Sequence, residues 1–245
     1  MLSKNEVKDI QSLRHKKLRD EGKLFVAEGP KMIMELLQLV PQQVERVLAV
    51  GEWIALNKHL LQTIRYQSIT GEELQKISQL QTPNQAVAVL KQFEPHLPQA
   101  NGFTLYLDTV QDPGNFGTII RIADWFGITD VVCTEGCADL YNPKVVQATM
   151  ASIARVNVYY DKEMQWLQQQ KAPVYAAVLN GKPLHQFTTA EAGVLIIGNE
   201  SKGIRHELLE LATHPITIPR KGSAESLNAA VATGIILSHL IGDGL

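Results

Sequence analysis

Three segments beyond residue 100 of this 245-residue chain place polar side chains at the spacing that a binding or catalytic site needs. In each, an apolar strand leads into a turn rich in Gly, Asn or Pro: residues 108–121 (DTVQDPGNFGTIIR), 197–203 (IGNESKG) and 218–228 (IPRKGSAESLN). In an open α/β sheet, ligands bind at the turns that follow the carboxyl ends of strands. The three segments therefore predict one composite site.

The polar side chains in these segments also have ordinary structural explanations. Asn115 stands where a helix N-cap belongs, and Glu200 can cap the helix that follows it. Ser226 and Asn228 are expected to begin the last helix, where capping alone would explain them. Without a motif around it, Arg121 would be a surface arginine on a helix. The residue types by themselves leave both interpretations open.

The charge of the chain is distributed unevenly. Its net charge is −2, and 45% of its residues are hydrophobic, which is ordinary for a globular protein with a buried core. Residues 1–31 contain eight Lys or Arg against five acidic residues, so this arm carries +3 and the remainder −5. A basic arm suits a partner with phosphates, although a solvated amphipathic helix explains the same charges.

The two cysteines, Cys133 and Cys137, are too few for a disulfide framework and lack the further ligands of a zinc site. We expect two reduced thiols and no metal. The N-terminus lacks the apolar core of a signal peptide, and the most apolar stretch, residues 229–241, falls short of the roughly 20 residues of a membrane span. These features predict a soluble cytoplasmic protein.

The first part of the chain alternates helix and strand patterns. Ser3 and Glu6 have the spacing of a capping box, and a helix is expected from there to about residue 19. Strands are expected at 25–29, 44–50 and 85–91, and helices at 31–39, 53–61 and 71–79. The pattern predicts a small α/β domain over residues 1–95, a Pro- and Gly-containing linker over 96–102, and a second domain over 103–245.

The second domain is expected to hold a parallel α/β sheet. Its strands are expected at 103–108, 130–134, 155–159, 174–179, 194–198 and 215–219, with helices at 117–126, 143–152, 162–169, 204–211 and 226–241. This assignment puts Arg121 on the second turn of its helix. The glycine fingerprint of dinucleotide-binding folds, the phosphate-binding P-loop and the nucleophile turn of serine hydrolases are all missing from the sequence.

Taken together and in this order, the three segments resemble the three motifs of the SpoU/TrmH family of RNA ribose 2′-O-methyltransferases, over about residues 103–242. Residues 3–29 are similar to the substrate-binding domain that precedes the catalytic domain in many members. The resemblance implies a trefoil-knotted SPOUT-type α/β domain that binds S-adenosylmethionine in the knot and works as a homodimer. It implies methylation of a ribose 2′-hydroxyl, with ribosomal RNA favoured over tRNA.

The resemblance also implies roles for individual residues. Arg121 would hold a phosphate or stabilise the developing alkoxide, with base action as an extra, because guanidinium does not normally lose its proton. Its catalytic partners would be Asn115, Glu200 and Asn228. The cofactor would be held largely by backbone groups at Gly198, Ile218 and Leu227, with Ser226 and the weaker candidate Leu179. RNA would contact Lys4, Arg14, Lys16, Lys17 and Arg19.

Three other interpretations fit the sequence less well. A non-catalytic RNA-binding relative would have lost Arg121 or Glu200, and both are present. A nicotinamide-dependent enzyme is disfavoured by the missing glycine fingerprint, and a base rather than a ribose as acceptor by the complete motif set. Two small departures from the family pattern are Arg220 and Ala224. The apolar run 229–240 is expected to be buried, in the core or in a dimer interface.

Overall fold

The computed structural model describes residues 1–99 and 101–242. Position 100 of the expected linker and residues 243–245 of the expected second domain lie outside this range. The helices are α1 Lys4–Ser12, α2 Lys16–Gly22, α3 Pro30–Leu39, α4 Gly51–Asn57, α5 Gly71–Ile77, α6 Pro113–Trp125, α7 Pro143–Thr149, α8 Gln165–Gln168, α9 His206–Leu209 and α10 Ala229–Leu240. The strands are β1 Leu24–Glu28, β2 Val44–Ala49, β3 Tyr66–Ser68, β4 Ala86–Lys91, β5 Phe103–Leu107, β6 Asp130–Thr134, β7 Asn157–Asp161, β8 Val174–Pro183, β9 Gly193–Ile197 and β10 His214–Thr217.

The chain divides into two compact units. The first contains residues 1–94 together with 139–154, and the second contains 95–138 together with 155–245. The segment 139–154, which the sequence pattern groups with the second domain, thus clusters with the first unit. The boundaries of the functional domains stay a prediction, because compactness does not test function.

The first unit is built on a four-stranded mixed sheet in the order β1-β4-β2-β3. β4 pairs antiparallel with both β1 and β2, whereas β2 and β3 run parallel. The short strand β3 was not expected, because three residues give too little alternation to recognise. The capping box of α1 is confirmed, with the Ser3 side chain accepting from the Glu6 N–H and the Glu6 carboxylate accepting from the Ser3 N–H.

The expected single helix up to residue 19 is wrong. α1 ends at Ser12, and α2 begins at Lys16 after a turn. The guanidinium of Arg19 explains part of the break, since its Nη1 donates to the carbonyls of Leu13 and Arg14 at 2.9 and 2.8 Å. A side chain that satisfies carbonyls in the turn stabilises the end of one helix and the start of the next.

The second unit contains the expected parallel sheet. Its six strands have the order β10-β8-β9-β5-β6-β7, and every neighbouring pair is parallel. β5, β6 and β9 are buried at every position, as expected for central strands covered on both faces. α6 and α10 pack against each other, while α8 and α9 contribute Trp166, Leu167 and Leu208 to a core cluster with the sheet.

Much of the expected linker is bound to the second unit. The Asn157 side chain accepts from the His96 N–H at 3.2 Å and donates to the His96 carbonyl at 3.0 Å. The indole N–H of Trp166 donates to the Pro98 carbonyl at 3.1 Å. His96 and Pro98 are therefore fixed to the second unit through β7 and α8.

The last helix is shorter and less buried than expected. It begins at Ala229, with Asn228 rather than Ser226 as its N-cap. Six of its residues are buried, but Val231 and Ile235 keep 52% and 37% of their surface exposed. Across the described residues, every helix is too short or too polar to cross a membrane.

Candidate active site

The first motif turn is capped by Asp112. Its carboxylate Oδ1 accepts from the Asn115 N–H at 2.7 Å, and Pro113 occupies the first helical position, where its missing N–H costs nothing. The expectation that Asn115 caps this helix is therefore wrong, because the helix starts before it. Arg121 lies correspondingly on the third turn of α6 rather than the second. The side chain of Asn115 is released from capping and is available to other partners.

Asn115 joins the three motif segments to one another. Its Nδ2 donates to Glu200 Oε1 at 3.0 Å, and its Oδ1 accepts from Asn228 Nδ2 at 2.7 Å. Asn228 Oδ1 accepts in turn from the N–H groups of Ala230 and Val231, at 2.9 and 3.2 Å. One continuous hydrogen-bond chain thus runs from the Glu200 carboxylate to the N-terminus of α10.

The order of donors and acceptors along this hydrogen-bond chain follows from its two ends. The N–H groups of α10 can only donate, which fixes the oxygen of Asn228 toward the helix and its NH₂ toward Asn115. An ionised Glu200 can only accept, which turns the NH₂ of Asn115 toward Glu200. Both amides are therefore oriented by their partners, and either one would break the chain if it were flipped. The three residues are held as a single unit.

The loop that carries Glu200 is folded tightly on itself. Asn199 exchanges two backbone hydrogen bonds with Gly203, and its side chain accepts from the N–H groups of Ser201 and Lys202 while donating to the Thr109 carbonyl. Gly198 is required here, because a Cβ would come within 2.4 to 2.6 Å of the Gly203 and Ile204 backbone. The reason for this glycine is thus the close approach of the loop itself.

Two further residues support this loop and were missed by the sequence interpretation. Asp108 follows β5 with no exposed surface, and it accepts from Arg205 twice, from the backbone N–H and from the side-chain Nε, at 2.8 Å each. A polar residue that ends an apolar strand was the available signal for Asp108. Arg205 gave none, because its partner lies far away in the sequence.

Arg121 stands apart from the hydrogen-bond chain. It is exposed on α6, and its guanidinium has no hydrogen bond or ion pair to any residue that the structure describes. It follows Asn115 by six residues, which is a rise of about 9 Å along a helix. Glu200 was expected to position Arg121, but the two side chains make no contact with each other in this protein. Arg121 is a cation with all of its donors available.

Of the expected cofactor positions, Gly198 and Ile218 directly follow β9 and β10, Leu179 lies within β8, and Leu227 precedes the N-cap of α10. Thr217 Oγ1 donates to the Leu179 carbonyl at 3.0 Å, which ties the end of β10 to β8. Leu179 and Leu227 expose 70% and 51% of their surface, which is unusual for leucine. Among the described residues, the N–H groups of Gly198, Ile218 and Leu227 have no hydrogen-bond partner. Ser226 lies outside the helix that it was expected to begin, and it is exposed.

The basic residues expected to contact RNA separate into two groups. Lys4, Arg14, Lys16 and Lys17 are exposed in the first unit. Arg19 is buried at 2% exposure and forms an ion pair with Asp139, in addition to its two bonds to backbone carbonyls. Its assignment as an RNA-binding residue is therefore wrong, because its guanidinium is occupied within the unit. An arginine that is buried and paired cannot also meet a phosphate.

The two cysteines are free thiols. Cys133 is buried in β6, and burial raises its pKa well above the usual range. Cys137 is partly buried, and a hydrogen bond from Cys133 lowers its pKa. Among the described residues there is no cluster of three His, Cys, Asp or Glu that could hold a metal ion.

The fold and the site define an α/β protein with one composite polar site at the carboxyl edge of a parallel sheet, preceded by a smaller α/β unit. The model of the SpoU rRNA Methylase family matches residues 102–238, and that of the MRM3-like substrate binding domain matches residues 4–88. The chain belongs to the SpoU rRNA methylase family.

Similar proteins extend over nearly the whole chain. The 23S rRNA (guanosine(2553)-2′-O)-methyltransferase RlmP of Bacillus subtilis is 34% identical over 98% of both chains. A solved structure of a TrmH-family protein from Porphyromonas gingivalis is 36% identical, covers 97% of both chains and superposes with a TM-score of 0.86. An AdoMet-bound rRNA methyltransferase from Sinorhizobium meliloti is 29% identical, covers 97% of this chain and 94% of its own, and has a TM-score of 0.85.

Proposed function

We propose that this protein transfers the methyl group of S-adenosylmethionine to a ribose 2′-hydroxyl in ribosomal RNA. One observation carries the proposal: Asn115, Glu200 and Asn228 belong to three different family motifs and are joined by direct hydrogen bonds. Such a link requires the three turns to meet at one place, as a two-substrate reaction needs. The full-length similarity to 23S rRNA 2′-O-methyltransferases supports the same acceptor.

The turns at the carboxyl edge suit S-adenosylmethionine. Adenosine needs apolar surfaces on either side and backbone groups for its polar edges. The exposed side chains of Leu179 and Leu227 offer the first. The unpartnered N–H groups of Gly198, Ile218 and Leu227 offer the second. When bound there, the cofactor supplies an electrophilic methyl group on its sulfonium. Leu179 remains the weaker candidate among these positions, and Ser226, which precedes Leu227, is a further one. The knot that the family fold implies in this region is part of the proposal.

The residues of the site act on the RNA rather than on the donor. The 2′-hydroxyl is a poor nucleophile, and negative charge grows on its oxygen as the proton leaves. We assign Arg121 to this charge or to the adjacent phosphate, since a guanidinium is a permanent cation with a donor fork. Asn115 and Asn228 hold Glu200 in one orientation, so that its second carboxylate oxygen is free to accept a hydrogen bond from the acceptor.

The first unit is assigned to RNA binding. Lys4, Arg14, Lys16 and Lys17 are exposed, and cations of this kind provide affinity and position through phosphates without reading the sequence. Ribosomal RNA is favoured over tRNA because the similarity to RlmP covers this unit as well. The proposal places the reaction in the cytoplasm, where ribosomal RNA is made and assembled in bacteria.

We propose further that the protein is a homodimer that associates through α6 and α10. Val231 and Ile235 lie one turn apart on the outer face of α10, and Trp125 at the end of α6 is 84% exposed. Apolar side chains exposed on two helices that pack against each other are typical of an interface. The mass of the protein in solution tests whether it is a dimer.

The reaction is tested by transfer of a labelled methyl group from S-adenosylmethionine to unmodified rRNA and to tRNA. We expect label in rRNA, recovered as a 2′-O-methyl nucleotide, and a loss of roughly a hundredfold or more in the Arg121→Ala variant. Lys171→Ala, which removes an exposed cation of the second unit outside the three motif segments, is the control and should stay active. Label on a base, or a wild-type blank on both RNAs, would contradict the proposal.

A further inference from the structure

Asp108 is a buried carboxylate with an unusually complete set of partners. It has no exposed surface, and it stands at the end of β5, where the first motif turn begins. Its Oδ2 accepts from the Arg205 N–H at 2.8 Å, and its Oδ1 accepts from Arg205 Nε at 2.8 Å and from Thr109 Oγ1 at 3.0 Å. A buried charge held in this way persists because each of its oxygens is paired.

Arg205 uses only part of its guanidinium for this bond. Its side chain is 49% exposed, and only Nε is bonded to Asp108. Within the described residues, the two terminal nitrogens have no hydrogen-bond partner. Because the guanidinium is planar and rigid, fixing Nε fixes the direction of the remaining donors. The remaining donor pair of this half-exposed side chain is thus held in one direction.

The position of these donors is set by the loop that carries Glu200. Arg205 ends the loop 199–205, and Glu200 near its start belongs to the hydrogen-bond chain of the site. Lys202, within the same loop, is exposed. Two cations therefore accompany Glu200 at the carboxyl edge of the sheet, and one of them is immobilised by a buried acid.

We propose that Arg205 binds a phosphodiester of the RNA substrate beside the acceptor ribose, with Asp108 as the positioning residue that orients it. This rests on the proposed function and specifies how the acceptor strand is placed. Arg presents a planar pair of donors that matches two oxygens of a phosphate. The cofactor carries a carboxylate, which offers the same oxyanion chemistry. The phosphodiester is favoured because the Arg205 side chain is half exposed and the same loop carries a second exposed cation, Lys202, three residues earlier.

The proposal is tested with Arg205→Ala and Arg205→Lys, and Lys171→Ala serves as a control that removes one exposed charge before β8. Dissociation constants for an rRNA fragment and for S-adenosylmethionine are measured separately by filter binding and calorimetry, alongside the KM and kcat of methylation. We expect Arg205→Ala to weaken RNA binding about tenfold, to leave cofactor binding unchanged and to lower the salt slope of RNA binding by about 0.7 to 0.9. Arg205→Lys should fall between the alanine variant and wild type, because it keeps the charge and loses the fork.

Two results would overturn the assignment. Unchanged RNA affinity in Arg205→Ala would remove the phosphate contact, and a weaker cofactor affinity with normal RNA affinity would assign Arg205 to the cofactor carboxylate instead. The role of Asp108 is read from Asp108→Asn, which should raise the KM for RNA while keeping the affinity for cofactor. Because RNA binding is measured without turnover, failure of the methylation reaction itself would leave this test intact.

Discussion

Asn228 has two structural roles that a single substitution can separate. Its Oδ1 caps α10 through the N–H groups of Ala230 and Val231, while its Nδ2 donates to Asn115. An aspartate caps a helix as well as asparagine does but has no NH₂ group to donate. The cap serves stability, whereas the bond to Asn115 serves the alignment of Glu200.

We predict that Asn228→Asp keeps the free energy of unfolding within about 0.5 kcal/mol of wild type while slowing methyl transfer roughly tenfold. Asn228→Ala removes both the helix cap and the bond to Asn115. It should therefore lose about 0.5–2 kcal/mol of stability and also slow methyl transfer. The measurements are denaturant unfolding and single-turnover transfer. Thr70→Ala, which removes the N-cap of α5, is the control that should lose stability alone. Full activity in Asn228→Asp would show that the bond to Asn115 has no part in the reaction.

At the scale of elements, the site depends on how closely the loop 199–205 approaches the end of β9. The backbone of Gly203 and Ile204 passes so near Gly198 that no side chain fits between them. Asn199 then fixes the loop from within, through its bonds to Gly203 and to the Thr109 carbonyl. The position of Glu200 is thus a consequence of backbone packing between two motifs.

We predict that Gly198→Ala displaces this loop, because the added Cβ would contact backbone atoms that cannot rotate away. Overpacking of this kind costs about 1–3 kcal/mol. Methyl transfer should fall more steeply than stability, since Glu200 moves with the loop. Gly71→Ala, whose Cβ would have no atom within 4 Å, is the control. Normal activity in Gly198→Ala, measured together with thermal unfolding, would show that the loop adapts.

At the scale of the whole molecule, the outer face of α10 decides whether the chain associates. Six residues of this helix are buried, yet Val231 and Ile235 remain exposed. An interface would remove that apolar surface from water, which is a favourable change. A charge placed there would instead be desolvated at a cost.

We predict that wild type has a mass in solution of twice the 27.2 kDa chain, and that Val231→Glu with Ile235→Glu reduces it to that of one chain. Light scattering after size-exclusion chromatography measures both. Leu56→Glu places the same charge on another exposed leucine, 72% exposed on α4, and should leave the mass unchanged. A wild-type protein that elutes as a single chain would contradict the dimer.

Local sequence determined most of the strands and the composition of the three motif turns, but not the three-residue β3. β5 was expected at 103–108 and runs from Phe103 to Leu107, because an apolar run followed by turn residues is a local signal. Propensity placed most helices to within a few residues, but it did not decide which residue caps α6, since Asp112 and Asn115 are both good caps. The break between α1 and α2 was missed for a related reason, because it depends on a side chain of Arg19 that folds back.

Only the tertiary structure decided which polar groups meet. Arg19 looked like its basic neighbours until its ion pair with Asp139, 120 residues away, showed that it is occupied. In the same way, Asn115 was joined to Glu200 and Asn228 across 85 and 113 residues, and Arg205 to Asp108 across 97. The sequence by itself determined the family, the strand pattern and the candidate residues, because those depend on short-range order. Their partners depend on chain segments that are remote in sequence and are brought together only when the sheet forms.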